Sequence, residues 1–130
     1  VILLMGLILC TLITNAQIKK HRAKAFAFKF HESVNKSWSD WQETNVLIVF
    51  DMPNENVKIY STDYQEYFLL NVLEKKEDEQ GGFTLYYNAI DEESISCVLK
   101  FRRERNGESQ IYIEYKDMSW VYTINREESN

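Results

Sequence analysis

Hydrophobic and polar side chains alternate along most of the chain beyond residue 25. Phe26, Phe28 and Phe30 share one parity against small or polar neighbours, the period of two that a half-buried β-strand requires. The same alternation predicts five later strands, at Val57–Ser61, Phe83–Ala89, Ile95–Phe101, Ile111–Tyr115 and Trp120–Ile124. The run Val46–Phe50 is apolar at both parities, which predicts a strand that is covered on both faces.

Turn-forming residues separate these segments. Asn106-Gly107 lies between two alternating runs and predicts a hairpin with a type I′ turn. The only proline lies within Asp51–Asn56, which links two predicted strands, and Gly81-Gly82 closes a charged loop. Short connections of this kind are typical of consecutive antiparallel strands.

The segment 64–76 is ambiguous. Its apolar residues Tyr64, Tyr67, Phe68 and Leu70 lie at helical spacing, but flanking strands and tight connections favour a strand after a turn at Thr62-Asp63. With that strand included, the chain is predicted to be all-β, an antiparallel up-and-down meander of about eight strands that forms a small barrel or a sandwich. The alternative is an α+β fold with one helix near 64–76.

The N-terminal region differs from the rest of the chain. Residues 1–16 are uncharged and mostly apolar, and they end in Ala16 with Thr14 two residues before it, which predicts a secretory signal peptide cleaved after Ala16. An uncleaved membrane anchor is the alternative. We expect a basic, flexible arm at 17–24, a single β domain at 25–126 and a disordered tail at 127–130. The expected location is the periplasm or the cell surface.

Composition narrows the class of protein further. The 130 residues carry 15 Lys and Arg against 20 Asp and Glu, a net charge of −5, and an acidic body disfavours binding to nucleic acid. Loss of Cys10 with the signal peptide would leave Cys97 without an intramolecular disulfide partner. Because Cys97 shares the parity of Ile95 and Leu99, we expect a buried thiol rather than a nucleophile.

The residue patterns of common catalytic and cofactor sites are missing from the sequence. The two histidines, His21 and His31, have no cysteine or histidine at zinc-site spacing, and there is no GxSxG, GxGxxG or Walker pattern. We therefore expect no metal and no cofactor. The one enzymatic alternative is a small hydrolase that uses paired carboxylates in a cleft, drawn from Asp40, Asp91 and Asp117.

Aromatic residues are the remaining candidates for a binding site. Tyr60, Tyr86 and Tyr112 each occupy the parity opposite the predicted core, so neighbouring strands would present them as an exposed aromatic surface. Trp38 and Trp41, two indoles three residues apart ahead of the apolar strand, are further candidates for binding. The alternative is that Trp41 and Trp120 close the ends of the core.

Two stretches, WSDWQETNVLIVFDMPNENVKIYS and CVLKFRRERNGESQIYIEYKDMSWVY, resemble short exported bacterial β-proteins of unknown function. The resemblance implies an exported β-protein and brings no catalytic residues with it. Our hypothesis is a noncatalytic module that binds a ligand, a glycan or an envelope protein through an aromatic surface or a barrel mouth. A pocket with two convergent acids roughly 5–10 Å apart would favour the hydrolase, and an aromatic pocket with few acids would favour binding.

Overall fold

The computed structural model describes residues 18–31 and 37–124, which form eight antiparallel strands. The strands are β1 Ile18–Phe30, β2 Gln42–Asp51, β3 Asn56–Tyr60, β4 Gln65–Glu77, β5 Phe83–Asp91, β6 Ser96–Arg103, β7 Ser109–Glu114 and β8 Met118–Ile124. Each strand pairs with its neighbours in the chain, and β1 also pairs with β8, so the sheet closes into a barrel. The all-β meander is confirmed, the barrel is the form it takes, and the segment 64–76 is strand rather than helix.

The first strand begins earlier than the sequence predicts. Ile18 through Ala23 pair in register with Asp51 through Val46 of β2, so most of the expected basic arm belongs to the sheet. The physical reason is that the edge of the apolar strand β2 presents a continuous row of backbone N–H and C=O groups. Pairing with β1 satisfies their hydrogen bonds. The predicted signal segment, Gln17 and the tail at 127–130 lie outside the described residues and remain expectations.

A β-bulge between Ala23 and Ala25 changes which side chains of β1 face inward. Ala23 belongs to the core, and beyond the bulge Phe26 packs against it. Ala27 is only 2% exposed although it pairs with Val121, which faces outward between two core residues of β8. Phe30, at the end of the strand, is 49% exposed and lies outside the core.

Six side chains at the centre of the core have no exposed surface. They are Ile48, Val57, Ile59, Leu99, Ile111 and Ile113. Cys97 is buried among them, as its parity predicts. The apolar run of β2 is covered on both faces, because inward-facing Ile48 and outward-facing Val49 are both buried.

The predicted hairpin at Asn106-Gly107 exists, but its turn type differs from the prediction. The Gly107 N–H donates to the Glu104 carbonyl at 3.0 Å, and of the two predicted central residues only Gly107 has a positive φ, of 88°. This is a type I turn followed by one left-handed residue. The hairpins at Asp78–Gly81 and Asp91–Ser94 repeat the pattern.

Candidate functional site

The two ends of the barrel are built from different sets of connections. One end carries the start of β1, the β2–β3, β4–β5 and β6–β7 hairpins and the end of β8. The other end carries the end of β1, the β3–β4, β5–β6 and β7–β8 turns and the start of β2. We call them the open end and the closed end, for the reasons that follow.

Hydrogen bonds around Gln65 fill the closed end. The Gln65 Oε1 atom accepts from the Tyr67 hydroxyl at 2.7 Å and from Trp120 Nε1 at 3.2 Å. Its Nε2 atom donates to the Tyr122 hydroxyl at 3.1 Å and to Ser61 Oγ at 2.9 Å. One amide therefore ties three aromatic side chains from two distant parts of the chain together.

A second contact extends this network toward the β5–β6 turn. Tyr115 stacks on Trp120 with ring centres 5.5 Å apart, and its hydroxyl donates to Asp91 Oδ2 at 2.7 Å. Burial raises the pKa of the Tyr115 phenol, and the bond to Asp91 raises it further. Trp120 closes this end of the core as the sequence alternative predicts, whereas Trp41 does not, since it is 52% exposed.

The open end holds a cavity of about 1000 Å³. Its wall is apolar and partly aromatic, formed mainly by Phe50, Leu69, Leu85, Tyr87, Phe101 and Ile111. Phe101 lies at the centre of the aromatic part, with its ring 5.5 Å from that of Phe50 and 5.4 Å from that of Tyr87. These residues point inward because their strand parity is that of the core.

Basic side chains surround the mouth of the cavity. They are Lys19, Lys20, His21, Arg102 and Arg103, and no aspartate or glutamate lines the cavity among the residues that the structure describes. Lys19 and His21 face inward, since they pair with the inward residues Phe50 and Ile48. The His21 ring lies edge-on to Phe50 at 5.3 Å. Burial lowers the pKa of His21, and the charge of Lys19 lowers it further.

The predicted tyrosine surface exists in part. Tyr86 and Tyr112 face outward on either side of Lys100, whose Nζ lies 5.8 Å and 4.5 Å from their ring centres. Trp38 packs on Tyr112 with ring centres 5.9 Å apart. Tyr60 stands elsewhere on β3, in contact with Tyr64 at 5.2 Å.

The acidic residues proposed for a hydrolase do not meet in the cavity. Asp91 belongs to the β5–β6 turn, where its Oδ1 accepts backbone N–H groups of Glu93 and Ile95. Asp117 lies in the exposed β7–β8 turn, and Asp40 is exposed ahead of β2. In residues 18–31 and 37–124, no three His, Cys, Asp or Glu side chains are grouped to hold a metal ion.

The fold and the cavity define a closed eight-stranded antiparallel barrel with one accessible end. No protein-family model, curated protein or solved structure matches this chain. Within the described ranges, no helix has the length and apolar character needed to cross a lipid bilayer.

Sequence reasoning missed the residues around the mouth. The alternation predicts that Phe83, Leu85 and Tyr87 face inward, but it does not show that they surround a cavity. Lys19, His21 and Arg103 follow the same parities as the core residues of their strands. The pattern that indicates such a mouth is a strand whose inward-facing positions change from apolar to basic residues toward one end.

Proposed function

We propose that the protein is a noncatalytic binding module that holds one apolar small molecule in the open end of its barrel. The observation that carries the proposal is the apolar cavity of about 1000 Å³ between Phe50, Leu85, Tyr87 and Phe101. Following the pattern of residues 1–16, we place this activity outside the cytoplasm, in the periplasm or at the cell surface.

The size and lining of the cavity support this choice over a structural role alone. An eight-stranded barrel either fills its interior with side chains or holds one small ligand, and pockets for drug-sized ligands measure roughly 300–1000 Å³. Here the closed half has a packed core, while the wall of the other half surrounds a cavity of ligand size. An apolar molecule entering it would remove those aromatic surfaces from water.

The hydrolase alternative receives no support from the geometry. Its mechanism needs two carboxyl groups that converge on the substrate. No acidic residue in the described part of the chain lines the cavity, and its polar groups are mainly cationic.

The test is saturable binding of the neutral fluorescent probe N-phenyl-1-naphthylamine. Leu85→Trp places a large ring inside the cavity, and we expect it to weaken binding by at least about tenfold through overpacking. Tyr86→Trp, one residue along the same strand but facing outward, is the matched control and should bind like the wild type. Equal weakening by both variants, or no saturable binding to the wild type, would contradict the proposal.

A second candidate is the outer aromatic surface of Trp38, Tyr86 and Tyr112, because Trp38 is 40% exposed beside Tyr112. Such a surface could stack on a glycan or a peptide. The Lys100 ammonium group already lies over both tyrosine rings. These contacts explain the two tyrosines as residues that stabilise the outer face of the barrel. The double variant Tyr86→Ala/Tyr112→Ala should lose retention on a glycan or peptide array if this second function holds. The same assay tests Trp41, the remaining predicted binding residue, as Trp41→Ala.

A further inference from the structure

We propose that the ligand of the open end is a single-chain amphiphile with one anionic head group, held at the mouth by Lys19 and Arg103, with its apolar chain in the cavity. The inference rests on the proposed function and names the chemical class of its ligand.

The first argument is the sign of the charge around the mouth. The chain as a whole carries a net charge of −5, yet the described residues that line the cavity include four Lys and Arg and no acid. A cleft lined by one sign of charge, with walls of low dielectric constant, concentrates ions of the opposite sign. The mouth therefore favours an anion although the protein is acidic.

The second argument is which of these cations are available. Arg102 is already engaged, with its guanidinium 2.9 Å from Asp78 Oδ2 and 2.7 Å from Glu104 Oε1. Lys19 and Arg103 form no ion pair with any acidic residue in 18–31 or 37–124. Lys19 faces inward opposite Phe50, and Arg103 pairs across the sheet with Phe83 and Ser109. Two cations thus border the apolar wall directly.

The third argument is an unsatisfied polar atom at the boundary between the charged mouth and the apolar wall. The Nδ1 atom of His21 is buried and makes no hydrogen bond with the described residues. A buried polar atom without a partner costs free energy, and a turn of the imidazole ring toward the cavity would let a ligand oxygen recover that cost by accepting from an Nδ1–H tautomer. His21 lies two residues further into the barrel than Lys19 on the same face, where the head group would meet the chain.

The fourth argument is the composition of the apolar part. Aromatic and aliphatic side chains line the cavity beside the head-group position, among them Phe50, Phe101, Leu69 and Ile111. In this part of the wall the described side chains offer few polar groups, so a ligand with polar groups along its whole length would leave them without partners. An unbranched apolar chain with one charged end fits this distribution.

The experiment measures binding of three twelve-carbon probes by calorimetry below their micelle concentrations. Dodecanoate, dodecanol and dodecyltrimethylammonium share a chain and differ in head-group charge. We expect dodecanoate to bind at least about tenfold more tightly than dodecanol, as a charge-assisted hydrogen bond implies, and the cation to bind most weakly. Each methylene removed from the carboxylate series should weaken binding by about fourfold.

Variants assign the head group to its site. Lys19→Glu/Arg103→Glu should weaken dodecanoate binding by at least about tenfold and leave dodecanol binding within about twofold. Lys116→Glu is the matched control, because Lys116 is exposed in the β7–β8 turn of the closed end and should bind both probes like the wild type. Should the double variant fail to fold, the comparison of the three probes on the wild type still decides the matter.

The outcomes separate the two proposals. Equal affinity for dodecanoate and dodecanol would overturn the anionic head group while leaving the apolar cavity function standing. Absence of binding by all three probes would overturn both. Vesicles of phosphatidylglycerol and of phosphatidylcholine distinguish a free amphiphile from a membrane surface, and binding to the anionic vesicles without uptake of free dodecanoate would also overturn the inference.

Discussion

The two ends of this barrel use the same strands and the same inward parity, but with opposite results. At the closed end, inward positions carry Gln65, Tyr67, Trp120 and Tyr122, whose polar atoms satisfy one another. At the open end, the inward positions toward the middle of the barrel carry apolar side chains, and those at the mouth carry cations. Both sets line the cavity. The difference lies in the choice of side chains, since the backbone ladder is continuous around the barrel.

The comparison indicates that one end stabilises the fold and the other is free to serve binding. A satisfied polar network fixes a unique packing, because each buried group would be costly without its partner. Uncompensated cations and an unpartnered imidazole atom are features that folding alone does not explain. Four experiments test this division.

The largest losses of stability are expected at the closed end and in the core, and Gln65→Leu breaks the closed end. The change leaves the polar atoms of Tyr67, Trp120 and Tyr122 without their common partner, and we expect a loss of about 3 kcal/mol in the free energy of unfolding. Urea denaturation followed by tryptophan fluorescence measures it. Gln80→Leu, in the exposed β4–β5 turn, is the control and should change stability by less than about 0.5 kcal/mol. Similar losses in both variants would contradict the assignment.

Thiol labelling measures how tightly each end is sealed. Burial raises the pKa of the Cys97 thiol to about 11, and the Asp91 carboxylate adds to the rise, so at pH 8 only about one thiol in a thousand is ionised. In a Cys10→Ser background, we expect Cys97 to react with methyl methanethiosulfonate at least about 100-fold more slowly than an unfolded control peptide. Leu85→Cys/Cys97→Ser places the thiol in the open cavity instead and should react quickly. Comparable rates for the two would show that the ends do not differ in access.

Two truncations on the same face of β6 compare core with cavity. Leu99 has no exposed surface, whereas Phe101 lines the cavity two residues later. We expect Leu99→Ala to cost about 3 kcal/mol and Phe101→Ala about 2 kcal/mol, because the cavity wall already lacks neighbours on one side. Thermal and urea denaturation give both values. A larger loss for Phe101→Ala would mean that the open end carries the stability.

The smallest effect concerns pH. Because burial lowers the pKa of His21 from its ordinary 6.5, the unfolded chain takes up a proton more readily than the folded chain below that pH. Stability should therefore fall as the pH drops from 7.5 to 5.5, and His21→Gln should reduce the slope of that fall. An unchanged slope in the variant would place the source of the pH dependence elsewhere.

Much of the fold could be predicted from alternation alone. The parities of β3, β5, β6, β7 and β8 identified inward and outward residues before the structure, and Ile59, Leu99, Ile111 and Ile113 are core residues as expected. The sequence predicts a barrel or a sandwich but does not decide between them, because closure depends on the pairing of β1 with β8. Ala27 and Val121 are buried although they face outward, and Val121 pairs with Ala27 and with Tyr112, on which Trp38 packs. No local sequence pattern reveals these contacts.

The candidate site escaped prediction for a physical reason. Binary patterning assumes that inward residues are apolar, so Lys19 and His21 at inward positions made residues 17–24 resemble a solvated arm. A cavity surrounded by cations breaks the rule at the place where binding requires polar groups. The tyrosines were placed on the correct face, but a facing direction does not say which surface has room for a ligand.

The pairing of β1 with β8 joins the first and last strands of the described chain, for example Ala23 with Ile124. During synthesis or export, the barrel cannot close before β8 has emerged. Until then, β1 and β7 each present an unpaired edge, the kind of surface that recruits other extended chains. Folding of this barrel should therefore be slow, limited by the meeting of β1 and β8, and a chain shortened within β8 should aggregate rather than remain a stable open sheet.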